Sequence, residues 1–202
     1  MRTRAALVGL LSLLLGCTAL ESPRDRARKA VERLAADGLT VELASGERLV
    51  VPPGGMKVLA MDAYPRDGGE LEGFAQLSIE GRVGELSVSY LGNERVLFRC
   101  GAAGCSVRGP LAPRLEGVIE ALVSRRRALE AGDGEALARL ALEPIPLPEE
   151  EVRQAATRAV RGWYVRVETD SAIVGEADLE GRQRRLCLRR VDGGWRFETG
   201  LP

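Results

Sequence analysis

Few residues of this 202-residue chain could do chemistry, and the cysteines come first. There is no histidine, which removes the commonest general base, every Ser-His or Cys-His dyad and every imidazole metal site. Of the four cysteines, Cys100 and Cys105 flank Gly-Ala-Ala-Gly, with apolar alternation on both sides of that loop. The pattern predicts a hairpin that brings the two thiols face to face, so that outside the cytoplasm they close a disulfide. Cys187 alternates within a strand pattern and reads as a buried free thiol. No metal site and no cofactor site are expected, because one C-x4-C pair and a lone thiol offer too few ligands. Phosphate loops, Gly-x-Ser-x-Gly, Ser-x-x-Lys and calcium-loop patterns do not occur, and no catalytic residue is assigned.

The fourth cysteine stands in a different context. Arg2 and Arg4 precede an apolar run from Ala5 to Leu15, followed by Gly16-Cys17, the layout of a secretory signal too short to span a bilayer as a helix. Leu14-Leu15-Gly16-Cys17 resembles the bacterial lipobox. The resemblance implies cleavage behind Gly16 and a diacylglyceryl group on the Cys17 thiol, so that the membrane is a partner through acyl chains on Cys17. Thr18 in place of Asp implies, by enteric sorting rules, the outer membrane facing the periplasm. The expected address is thus the bacterial cell envelope, with residues 1–16 as signal peptide and 17–23 as lipidated tether.

Charge narrows the partners further. The 29 basic and 29 acidic residues balance, which excludes an electrostatic nucleic-acid binder. All basic residues but Lys29 and Lys57 are arginine, a compositional bias, so Arg125-Arg126-Arg127 and the set Arg182, Arg184, Arg185, Arg189 and Arg190 read as solvated faces.

The elements that must carry these groups follow from periodicity. Ser22-Pro23 predicts the start of a helix over about 24–36, stopped at Asp37-Gly38. From Leu39 to Val107, short alternating runs separated by turn residues, Gly92-Asn93 among them, predict an antiparallel meander. Gly109-Pro110-Leu111-Ala112-Pro113 interrupts both periods and marks a linker at 109–114 between a helix-plus-antiparallel-β domain (24–108) and an α+β domain (115–202). Beyond it come a helix from Leu115 to Leu129, a break at Gly132-Asp133-Gly134 and a second short helix. A third helix is expected over Val152 to Trp163, followed by strands ending in the hairpin at Asp192-Gly193-Gly194.

Two stretches of that second region, RRRALEAGDGEALARL (125–140) and LCLRRVDGGWRF (186–197), resemble the NTF2-like superfamily. The resemblance implies a cone of helices wrapped on a curved antiparallel sheet, with the proline-rich 143–148 as a departure from the family pattern. In such a cone the cavity groups would be Trp163, Tyr164, Asp170, Glu176, Asp178 and Arg185, although their spacing pairs neither two carboxylates nor a nucleophile with a base. The fold class expected is α+β throughout. The function expected is a non-catalytic binding or assembly module whose partner is an envelope protein or an amphiphilic small molecule. The alternative is an NTF2-like cavity enzyme or small-molecule binder in the periplasm.

Overall fold

The computed structural model describes residues 21–144 and 146–201. Cys17 and the box Leu14-Leu15-Gly16 lie outside the described residues. Helix α1 (Pro23–Asp37) begins as its sequence dictates: the Ser22 hydroxyl accepts the Asp25 N–H at 3.1 Å and Pro23 occupies the first turn. It buries Ala27, Ala30 and Val31 against the sheet. Strands β1 (Leu39–Glu42), β2 (Arg48–Val51), β3 (Met56–Pro65), β4 (Glu70–Val83), β5 (Leu86–Gly101) and β6 (Gly104–Arg108) follow. The helical segment is α2 (Pro113–Ala131), α3 (Gly134–Leu140) and α4 (Glu149–Ala156). The chain then ends in β7 (Val160–Val167), β8 (Ser171–Asp178), β9 (Gln183–Val191) and β10 (Gly194–Thr199).

Two long strands organise everything else. β4 and β5 pair antiparallel from Glu70↔Arg99 to Val83↔Leu86. Each is long enough to serve two partners along its outer edge: β4 pairs with β3 at one end and β2 at the other, and β5 with β6 and with β7. The β5–β7 pairing is parallel, Ser87↔Gly162 to Gly92↔Val167, and a parallel pair needs a crossover, here the three helices α2 to α4. The sheet order β1-β2-β4-β5-β7-β8-β9-β10 therefore runs uninterrupted past residues 109–114, and one hydrophobic cluster follows it. The linker expected there is the change from strand to helix, and β5 belongs to the regions on both sides of it.

Two local expectations are corrected. Gly92-Asn93 is not a turn but the middle of β5. A Cβ at Gly92 would overlap the Tyr90 hydroxyl, which crosses that position to reach Glu94 on the same strand face. The glycine is required by a close approach. The third helix stops at Ala156 rather than continuing to Trp163. Trp163, Val165 and Val167 alternate inward from β7, because strand pairing on both edges outweighs a helical spacing of alanines. Elsewhere the turn chemistry holds. Asp133 caps α3 by accepting the Ala136 N–H at 2.8 Å. Asp192 (φ 51°) and Gly193 (φ 80°) supply the left-handed pair that turns β9 into β10.

Cys100 and Cys105 lie directly opposite each other across β5 and β6 and are bonded, S–S 2.04 Å. The hairpin is held onto α1 from outside: Arg33 donates to the Cys105 carbonyl at 2.8 Å and Arg26 to the Gly101 carbonyl at 3.1 Å. Cys187 is a free thiol and is half-buried rather than buried.

Candidate functional site

Among the described residues, burial singles out three charged side chains: Glu94, Arg125 and Glu176. Glu94 belongs to the architecture. From β5 it accepts the Tyr90 hydroxyl at 2.6 Å, the Leu115 N–H at 3.1 Å and the Arg114 N–H at 3.2 Å. It thus caps the first turn of α2, whose own N-cap position, Ala112, has no side chain able to do so. Burial pushes its carboxyl above the usual range, and the bonds from Tyr90 and the two amides partly offset this.

Arg125 and Glu176 belong to a different place. On α2, Val118, Leu122, Arg125 and Leu129 fall on one helical face, so Arg125 points inward while its neighbours Arg126 and Arg127 pair at the surface with Glu130 and Glu47. Beneath it, register sets Trp163 of β7 beside Glu176 of β8, and Glu176 beside Arg184 of β9. These three share the inner sheet face with Val165, Val174 and Leu186, which are buried. Arg125 donates to Glu176 Oε2 at 2.9 Å and to the Leu201 carbonyl at 2.6 Å, and the Trp163 indole N–H donates to the same Oε2 at 3.3 Å. Arg184 Nη1 is buried and has no hydrogen-bond partner among the described residues. Burial depresses the Arg184 guanidinium to about 10, with the Arg125 and Arg158 charges adding to the effect and Glu176 opposing it.

Two clefts meet at this row. One, about 500 Å³, opens between α2, the end of α4 and the β4–β5 turn, with Leu86, Leu129, Ala155, Val160 and Trp163 as apolar wall. The other, about 600 Å³, lies over the β8–β9 turn and includes Arg184. Arg158, Ala159, Val160 and Glu176 line both.

Of the six cavity groups expected from sequence, Trp163 and Glu176 are in contact, and Asp178 lines the second cleft with Glu176. Tyr164 points to the opposite, exposed face of β7. Asp178 closes its own turn, accepting the Glu180 and Arg182 amides at 2.9 Å, and its carboxyl is held below the usual range chiefly by the Arg182 side chain. Asp170 is exposed and its carbonyl receives the Arg190 N–H at 2.8 Å; Arg185 is exposed as well. Arg125 and Arg184, expected on solvated faces, are instead the members of the row that the sequence conceals. A signal for Arg125 exists, since it replaces an apolar residue in an otherwise apolar 118-122-129 face. Among the described residues, no group of three or more Cys, Asp or Glu side chains is arranged to hold a metal ion.

No protein-family model matches the chain, and no curated protein matches it. Among solved structures, an NTF2-like protein involved in plasmid conjugation is similar at 6% sequence identity, covering 71% of this chain and 76% of that one, with a TM-score of 0.27. At this score the mixed helix-and-sheet architecture rests on the strand order itself and not on the likeness.

Proposed function

We propose that this chain is a lipid-anchored protein of the bacterial cell envelope, held through acyl chains on Cys17, that acts by binding an envelope protein or an amphiphilic small molecule rather than by catalysis. The address is supported by the lipobox and by a cysteine pair seated opposite one another on a hairpin, an arrangement suited to an oxidising compartment. The observation that carries the binding reading is the condition of Glu176. A general acid or base must exchange a proton with substrate, whereas this carboxylate is fixed by two donors, Arg125 and Trp163, in a cleft with an apolar wall. A cavity enzyme of the NTF2-like type would have to act with that carboxylate already engaged.

Native mass spectrometry of the full chain, released in mild detergent from its own membranes, tests the proposal. The expected result is a Cys17 N-terminus carrying acyl mass, and a retained protein or small molecule that survives repeated preparation. An unmodified Cys17 overturns the address, and turnover of a retained molecule overturns the non-catalytic role.

A further inference from the structure

Glu176 is outnumbered. Arg125 and Trp163 both donate to the Glu176 carboxylate, and two further arginines, Arg158 and Arg184, line the clefts beside it without pairing with it. The other carboxylates around the clefts are largely committed elsewhere: Asp178 and Glu180 to Arg182, Glu130 to Arg126, and Glu47 to Arg127, with Glu85 at the β4–β5 turn. Neither Arg158 nor Arg184 makes an ion pair among the described residues. A guanidinium nitrogen buried without an acceptor is a cost that a folded chain normally avoids, and the residue that carries it lines the second cleft.

We infer that the junction of the two clefts binds an oxyanion, the carboxylate or phosphate head of a small amphiphile, with Arg184 and Arg158 as its donors, Arg125 and Glu176 as the fixed floor, and the Leu86–Leu129–Val160 wall against its apolar part. An oxyanion presents several lone pairs to planar N–H forks, which is the acceptor that Arg184 Nη1 lacks. It also returns the local charge toward neutrality, an effect strengthened by partial burial. Trp163 closes the inner end of the wall and hydrogen-bonds the floor carboxylate, so an anion bound beside Glu176 perturbs its indole N–H directly.

The oxyanion site rests on the binding-module reading but not on the anchor. The test uses the full chain in neutral detergent micelles and follows the Trp163 indole N–H by NMR while inorganic phosphate, butyl phosphate and butyrate are added in turn. The expected result is a saturable shift with phosphate, weakened about tenfold or more in Arg184→Gln by loss of a charge-assisted bond and unchanged in Arg190→Gln, an exposed position on the same strand. Arg158→Gln, in the turn before β7, weakens it as well and carries the test should Arg184→Gln fold poorly. Tighter binding of butyl phosphate or butyrate than of inorganic phosphate identifies an amphiphile head. Equal binding keeps the oxyanion site and overturns its amphiphilic part. Absence of saturation with all three anions, or equal weakening by Arg184→Gln and Arg190→Gln, overturns the site while leaving acylation of Cys17 untouched; an unmodified Cys17 leaves the anion titration as it stands.

Discussion

The sheet buries one glutamate in each of its two regions, and the surroundings of the two carboxylates differ. Glu94, on β5, meets three neutral donors and no buried cation. Its bonds replace the hydration that burial removes and finish a helix end that would otherwise be orphaned. Glu176, on β8, meets Arg125 and lies in register beside Arg184, so its neighbourhood has more cation than the structure consumes. Satisfied polar networks in folded chains are closed, as around Glu94. The network around Glu176 is open on the side of the cleft, and that difference separates a structural carboxylate from one that furnishes a site.

Removing Glu176 puts the contrast under the greatest load. Glu176→Ala leaves Arg125 buried beside two further arginines with no counter-charge, and urea unfolding is expected to show a loss of about 3–5 kcal/mol. A loss as small as that of a surface substitution would mean the guanidinium finds water in the cleft and the network is not buried. Next in size is the disulfide. Replacing Cys100 and Cys105 by serine frees a short loop already closed by β5–β6 pairing, and chain entropy alone gives a loss of about 2 kcal/mol in the same measurement. No change would indicate that the thiols are reduced in the native protein.

A pH series separates the two glutamates. Because burial raises the Glu94 carboxyl, the unfolded chain releases that proton first, so stability is fully present below the ordinary carboxylate value and declines as pH rises through the raised one. Glu94→Gln removes that decline, so the stability gap between the two proteins changes across this pH window and is flat on either side of it. Glu116 is also raised by burial and contributes a decline of the same sign, but it is present in both proteins, so their difference isolates Glu94. A difference that does not vary with pH would place the Glu94 proton elsewhere. Smallest is Arg184→Gln, expected to change stability by less than about 0.5 kcal/mol or to increase it, since it relieves repulsion and frees an unpaired buried nitrogen. A loss comparable to that of Glu176→Ala would make Arg184 a structural partner of the carboxylate and close the open network.

The sequence disclosed the elements that depend on local chemistry. Ser22-Pro23, the Gly132-Asp133 break, the Asp-Gly-Gly hairpin and the facing cysteines each specify their own geometry within a few residues. It concealed what depends on the crossover. The strand character of Trp163 and the inward turn of Arg125 exist only once β7 lies against β5 with α2 above them. The site was half legible for the same reason: Glu176 and Trp163 are recognisable as polar and aromatic positions on alternating strands. Arg125 and Arg184 were hidden in arginine runs whose neighbours are genuinely solvated; only its place on the apolar 118-122-129 face distinguishes Arg125, and nothing local distinguishes Arg184.

The parallel seam between β5 and β7 has a consequence for how the chain must be made. Residues 87–92 form backbone bonds along that edge only with residues 162–167, and the whole helical segment lies between them. While the chain emerges from its N-terminus, α1 to β6 can assemble first, but they do so with an open strand edge that has no native partner yet. A fragment ending at residue 108 would keep that edge permanently and would pair with copies of itself. A protein built in this way has to keep that edge away from other chains until its last third arrives.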